Sequence, residues 1–176
     1  MVAFAVSPLM GVDITATSSL AAGSATVYSP EYGLGNRVVM SDGEAIYIKA
    51  AAAITAGDVV QITMSSGSAT GITTLLTDAA AATAGQLIGV AHTTLASGQH
   101  GWACLKGVPY AGINVAASCL LGSPLYTTTV AGRLDDTSAS SHLILGIETT
   151  VTATGAAVVA GLCSNPVLAS GTVNNT

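Results

Sequence analysis

The sequence predicts an all-β fold: a small β-barrel or β-sandwich built from two similar tandem β units, with an extended N-terminal arm. Apolar segments are short and rich in Val, Ile and Thr, and glycines divide them roughly every eight to twelve residues. Sustained helical periodicity is missing. Residues 77–86 are compatible with either a short helix or an alanine loop, because Thr77 or Asp78 can cap a helix and Gly85 can end it.

Strand candidates follow one another from residue 35 onward. Residues 35–50 predict two strands around an Asp42-Gly43 turn, with Ile46 and Ile48 on one face of the second strand. Further alternating segments are residues 57–63, 101–108, 123–130, 142–151 and 155–162.

Two stretches of the chain repeat each other. Residues 88–105, "IGVAHTTLASGQHGWACL", match residues 145–162, "LGIETTVTATGAAVVAGL", at an offset of 57 in their Gly, Thr, Ala and Leu positions. Upstream, residues 51–63 match residues 116–128 at an offset of 65. The difference between these two offsets corresponds to one longer loop in the first copy. Each copy alone has too few strands for independent stability, so the two must pack together, as one barrel or as two.

The predicted organisation has three parts. Residues 1–34 form the N-terminal arm, residues 35–166 form the β domain, and residues 167–176 form a loose polar tail. Within the β domain the two copies span roughly 46–105 and 111–162. The sequence of the arm is compatible either with disorder or with a segment that lies over a neighbouring subunit. In the second case its apolar residues are predicted to bind the partner: Phe4, Leu9, Met10, Ile14, Tyr28 and Tyr32.

The composition predicts a surface that other molecules cover. Half of the 176 residues are hydrophobic but only 7% are charged, against about 25% in ordinary soluble domains. The remaining surface consists of Ser, Thr, Gly, Ala and Asn, and covering it strips few ions of water. Nucleic-acid binding is not predicted, because the net charge is −5 and the four cations are scattered along the chain.

The sequence also predicts no membrane span and no secretory signal. The charge-free stretches 107–132 and 149–176 contain prolines and glycines that favour strands and turns. The first twelve residues, "MVAFAVSPLMGV", lack a basic start, and Pro8 interrupts their apolar run. Three cysteines, an odd number, predict free thiols in a reducing compartment.

Candidate metal ligands are few. His92, His100 and Cys104 have no second Cys/His pair at ligand spacing, so they are predicted to form a surface or interface trio instead. The adjacent Asp135 and Asp136 lack the alternate spacing and closing glutamate of a calcium loop, and predict a solvated turn. No cofactor is predicted.

Catalytic motifs are equally scarce. The sequence contains no G-x-S-x-G, and the glycine pair in "GLGNRV" lacks the strand and helix of a phosphate loop. Paired carboxylates for glycoside hydrolysis depend on spatial separation, but aromatic residues, which bind sugars, make up only 4% of the chain. We therefore expect a protein that is not an enzyme.

The glycine and aliphatic layout of residues 35–166 resembles the capsid decoration, or cement, proteins of tailed bacteriophages. The resemblance lies in "AITAGDVVQIT", "GQLIGVAHTTLASGQHGWACLKGV", "GSPLYTTTVAGRL" and "LILGIETTVTATGAAVVAGL". The arm lies outside it. The resemblance implies an accessory β-protein without catalytic residues, made in the host cytoplasm and bound as a trimer or dimer to major capsid subunits on the outside of the head.

Three alternatives remain open from the sequence. A tail, fibre or collar module that binds host glycan would favour exposed aromatic residues, for which Trp102 and Tyr110 are the nearby pair. A small hydrolase or metal-dependent enzyme would need His92, His100 and Asp135 to converge. A bacterial surface-layer subunit is disfavoured by the missing export signal.

Overall fold

A computed structural model describes residues 12–20, 28–65, 68–73, 86–137 and 142–169. No helix occurs in these ranges, and the stretch 77–85 with its helix-or-loop alternative lies outside them. The strands are β1 (Arg37–Met40), β2 (Gly43–Ala50), β3 (Val59–Ser65), β4 (Ser68–Thr73), β5 (Leu87–Ala91), β6 (His100–Gly107), β7 (Ile113–Val115), β8 (Leu125–Thr127), β9 (Leu134–Asp135), β10 (Leu143–Thr149), β11 (Ala157–Val159) and β12 (Gly161–Leu168).

The first unit consists of β2 to β6, whose hydrogen-bond ladders return on themselves. Strand β2 pairs in parallel with β4, and β4 pairs antiparallel with β3. Strand β3 pairs with β5, β5 with β6, and β6 again with β2. The sheet then continues from β6 into β12. As a whole it has two free ends, β1 and β11, and is not closed.

The second unit, β7 to β12, repeats this pairing scheme strand for strand. Strand β7 pairs in parallel with β9, β9 antiparallel with β8, and β8 with β10. Strand β10 pairs with β12, and β11, which leads into β12 through Ala160, pairs with β7. The prediction of an all-β fold made of two similar tandem units is thereby confirmed. The boundaries of arm, β domain and tail stay a prediction.

The strand registers fix which residues correspond. Ile48 faces Gly101 in the first unit, and Ile113 faces Val159 in the second. The offset between corresponding residues is therefore 65 in the first strand of each unit, which agrees with the sequence match. In the last strands it is 58, whereas the sequence match gave 57. The extra residue matters because a shift of one position along a strand moves every side chain to the opposite face.

Each unit encloses an apolar interior built from corresponding positions. Six residues of the first unit's core cluster match six buried residues of the second unit's cluster. The pairs are Ile48/Ile113, Ala50/Val115, Ile54/Cys119, Val60/Leu125, Leu95/Ala153 and Leu105/Cys163. The second cluster also takes in Val59, Ile88, Val90 and Cys104 from the first unit, so the two units are fused through one shared layer.

A third apolar cluster covers the outside of β2 and β6. Tyr47 and Trp102 are its large buried members, with ring centroids 5.0 Å apart. Residues that precede the first unit pack against them: Val12, Ile14, Tyr32, Leu34 and Met40. The described part of the predicted arm therefore contacts this chain's own first unit.

The turn between β1 and β2 crosses the end of β6 at very short range. Met40 faces Gly43, so the turn residues are Ser41 and Asp42, one position earlier than predicted. A Cβ at Gly107, whose φ is +94°, would lie 1.8 Å from the carbonyl oxygen of Asp42. Only glycine fits here, for two reasons. A side chain would overlap the backbone of Asp42, and the positive φ is a left-handed conformation that other residues rarely adopt.

We expect Gly107→Ala to lower the free energy of unfolding by about 3 kcal/mol, through the backbone clash and the strained φ together. Gly122→Ala is the matched control: its φ is +70°, but nothing lies within 4 Å of the added Cβ, so the loss is about 1 kcal/mol. Urea unfolding measures both. Equal losses would contradict the close approach at Gly107.

Candidate functional site

The six predicted partner-binding residues divide into two groups. Phe4, Leu9 and Met10 lie outside the described residues. Ile14 and Tyr32 are half-buried against the Tyr47–Trp102 cluster, and Tyr28 is half-buried in an isolated bridge with Leu20. The structure does not place the described three in one exposed row.

Ser18 ties the segment that precedes the first unit to the edge of β6. Its backbone N–H donates to the carbonyl of His100 at 3.0 Å, and its hydroxyl accepts from the N–H of His100 at 2.9 Å. The hydroxyl also lies 3.1 Å from His100 Nδ1, and Gln99 Nε2 donates to the Ser18 carbonyl at 3.1 Å. Four polar contacts at one residue hold this segment against the first residues of β6.

The Ser18–His100 pair has the composition of a nucleophile and base but not their setting. Both residues are buried, and the Ser18 hydroxyl already accepts a backbone N–H. Burial lowers the pKa of His100, and the nearby Lys49 charge lowers it further. A catalytic pair needs an accessible oxygen and an orienting carboxylate, so this contact is structural. The sequence did not predict it, because Ser18 lies in a run of Ser and Thr without a motif.

The prediction of a surface or interface trio is wrong, because His92, His100 and Cys104 are all at least 96% buried within this chain. His100 and Cys104 lie on β6, which has neighbouring strands on both edges. His92 follows β5, and its backbone N–H donates to the carbonyl of Trp102. In the parts of the chain that the structure describes, no group of three or more His, Cys, Asp and Glu residues is placed to hold a metal ion. The three cysteines are free thiols, as predicted, and buried.

Asp135 and Asp136 tie a loop of the second unit rather than extending into solvent. Asp136 Oδ2 accepts the backbone N–H of Leu120 at 2.9 Å, and both aspartates are half-buried. Burial raises the pKa of Asp135, with the hydrogen bond to Asp136 as a second cause. The predicted solvated turn is thus a loop anchor, and it presents Leu120 at the surface.

A groove of 530 Å³ runs along the junction of the two units. The β1–β2 turn forms one wall with Val39 and Asp42, and Leu162 with Glu148 forms the other. Lys106 contributes a cation to the lining. The lining of the groove mixes apolar side chains with the charged Asp42, Glu44, Glu148 and Lys106.

Large apolar side chains lie exposed over much of the remaining surface. Those at least 38% exposed are Leu20, Val39, Met64, Val108, Tyr110, Leu120, Leu121, Val130, Leu145, Val151, Val158 and Leu162. Leu120, Leu121 and Val151 come from two loops that hydrogen-bond to each other, through Leu121 N–H to Thr152 Oγ1 and Ala153 N–H to the Cys119 carbonyl. These two bonds hold the loops of Leu120, Leu121 and Val151 next to each other on the second unit.

We expect stability to fall as the pH drops from 6.5 toward 4, because burial lowers the pKa of His92 from 6.5 to about 4. Unfolded His92 takes up a proton in this window while folded His92 stays neutral, which costs roughly 3 kcal/mol in all. Urea unfolding of the wild type and His92→Gln across this range measures the slope. His92→Gln removes the contribution of His92 to the pH dependence of the unfolding free energy and keeps the contribution of His100. Identical slopes would contradict this account.

Comparison with known proteins adds no family to this description. No protein-family model matches the chain, and no curated protein matches it in sequence. Within the described ranges, no helix has the length and apolar character needed to cross a bilayer. The function must therefore be inferred from this chain's own residues and geometry.

Proposed function

We propose that this chain is a capsid decoration, or cement, protein of a tailed bacteriophage. It is a structural protein rather than an enzyme. It binds the outer surface of the head at junctions between major capsid subunits, as a homotrimer or homodimer, and stabilises the shell against the pressure of the packaged DNA. It is made in the host cytoplasm and binds neither nucleic acid nor membrane.

The observation that carries the proposal is the character of the exposed surface. Twelve large apolar side chains are exposed in the described ranges, on a chain in which only 7% of residues are charged. Exposed apolar side chains mark interaction surfaces where they gather into a contiguous patch. Covering them costs little, because few ions lose their hydration.

The scaffold supports the same proposal. The two units have the same pattern of strand pairing, and their apolar interiors are fused. This framework of short strands carries the exposed residues. Many copies on a lattice give multivalent binding, so modest contacts at each site add up. The free sheet ends β1 and β11 also offer backbone groups to an extended segment of a neighbour.

Neither the glycan-binding alternative nor the hydrolase alternative has a specific observation in its favour. Trp102, half of the aromatic pair considered for glycan binding, is 1% exposed, and Tyr110 is the one large aromatic residue exposed in the described ranges. For a hydrolase, His92 and His100 are buried, and their described contacts are to Tyr110 N–H and to Ser18. We therefore develop the capsid proposal alone.

Cryo-electron microscopy of heads from the virus that encodes this chain tests the proposal. We expect density for the chain on the outer surface at local symmetry axes of the shell. Heads lacking the chain, mixed with the purified protein, should regain that density. Absence of the chain from the head, or its location in a tail fibre, would refute the proposal.

We expect the affinity for such heads to change less than about threefold between 50 mM and 1 M NaCl, because few ion pairs can form across the contact. Co-sedimentation of heads with the protein at each salt concentration measures it. Release by moderate salt alone would show that the contact is electrostatic, contrary to this account.

We also expect that deletion of residues 1–11 leaves a folded protein whose occupancy on heads is lower, because the arm adds contact area. Deletion of residues 1–32 is the informative comparison. It removes Ile14 and Tyr32 from the Tyr47–Trp102 cluster and should also lower the free energy of unfolding. Full occupancy after the shorter deletion would exclude a role of the arm in binding to the head.

A further inference from the structure

The two units differ on one corresponding face. Register equivalence places Val158 of β11 where His100 lies in β6, and Ala160 where Trp102 lies. His100 and Trp102 are 4% and 1% exposed, whereas Val158 is 44% exposed and Leu162, two residues beyond Ala160, is 38% exposed. We call the surface of Val158, Ala160 and Leu162 the open face. It is covered on the first unit and uncovered on the second.

The cover on the first unit comes from the chain's own N-terminal region. Ser18 pairs with the backbone of His100 through its N–H and hydroxyl. Tyr32 lies over Trp102 with ring centroids 5.4 Å apart, and Val12 and Ile14 pack on the same cluster. At His100, β6 is therefore hydrogen-bonded on its outer edge to Ser18 and covered by these apolar side chains.

In the described ranges, no segment of the chain takes this place on the second unit. Strand β11 is a free end of the sheet, and Val158 stands opposite Asn114 as His100 stands opposite Lys49. The N–H and carbonyl of Val158 accordingly point away from β7, as those of His100 point away from β2 toward Ser18. No described residue hydrogen-bonds to them.

The open face carries small residues where the first unit has aromatic rings. The facing pair Tyr47–Trp102 of the first unit corresponds to Gly112–Ala160 in the second, flanked along the strand by Val158 and Leu162. The Val158 side chain lies against Gly112, since a Cβ added to Gly112 would be 2.9 Å from Val158 Cγ1. An extended segment that carries a large apolar side chain would cover Ala160 and pair with Val158.

We propose that residues 1–11 of a second copy of this chain occupy the open face as an added β-strand. The segment, "MVAFAVSPLMG", has no charged side chain, and Val2, Phe4 and Val6 alternate with Ala3 and Ala5. One face of such a strand is apolar and large, the other small. Phe4, the one phenylalanine of the chain, lies over Ala160 between Val158 and Leu162.

Exchange between copies follows from where the segment is attached. Val12 packs on the covered face of the first unit, and the eleven residues before it span up to about 36 Å when extended. A segment of one copy that enters the open face of the next makes a head-to-tail contact, which closes into a ring of two or three copies. Backbone pairing supplies affinity, and the contacts of Phe4 supply specificity.

Crosslinking between differently tagged chains tests the proposal. An untagged Phe4→Cys chain and a tagged Val158→Cys chain are mixed and treated with diamide, which takes up the two electrons and two protons released by the thiols. We expect a disulfide between the tagged and untagged chains. Met64→Cys, at a position of β3 that is 51% exposed on the first unit, replaces Val158→Cys in the control and should give at least tenfold less product.

Two results would overturn the proposal. One is equal crosslinking to Met64→Cys, or none to Val158→Cys. The other is a crosslink that forms only within a chain carrying both Phe4→Cys and Val158→Cys, because the segment would then cover its own second unit.

The mass in solution provides a second test that needs no capsid. We expect the wild type to be a dimer or trimer, and Val158→Lys to convert it to a monomer with an unchanged circular dichroism spectrum. Val130→Lys is the matched control, since Val130 is also 44% exposed but lies far along the chain from β11, and it should keep the oligomer. A folded Val158→Lys that keeps the wild-type mass, or a monomeric wild type at high concentration, would refute strand exchange. Neither result bears on whether the chain is found on heads.

Discussion

A unit of five short strands cannot shield both faces of its own sheet from water, and the rest of this structure follows from that constraint. The first unit fills its interior with its own side chains, then buries Val59, Val90 and Cys104 against the second unit. Its remaining face is covered by Val12, Ile14 and Tyr32. The second unit fills its interior in the same way, but its outer face at Val158 is left exposed. The duplication thus leaves the first unit covered on both faces and the second unit covered on its inner face only.

The fold class could be predicted from the sequence because strand alternation and glycine spacing are local features. Segments such as 57–63 and 101–108 lie in strands β3 and β6. The register between the copies could not be predicted. Matching glycines set the sequence offset at 57, whereas hydrogen bonding, as in His92 N–H to Trp102 carbonyl and Thr150 N–H to Ala160 carbonyl, sets it at 58.

The surface was harder to predict than the core. His92, His100 and Cys104 were expected to form a surface or interface trio because they have no second Cys/His pair at ligand spacing. Whether β6 has water or protein on its second face depends on Val12, Ile14, Tyr32 and Leu34, which are distant in sequence, and on the second unit. Burial of the trio was therefore not a property of any local pattern. Conversely, Val158 and Leu162 have the composition of core residues, and only the topology leaves them exposed.

The central claim is that this molecule carries an apolar edge that neighbours cover. Amide hydrogen exchange at Val158 tests it most directly, measured at concentrations where the protein is monomeric and again in the assembled state. The account predicts exchange of the Val158 amide at least tenfold slower in the assembly, while the Ile48 amide in the interior of the first unit exchanges slowly in both states. Equal, fast exchange at Val158 in both states would contradict it.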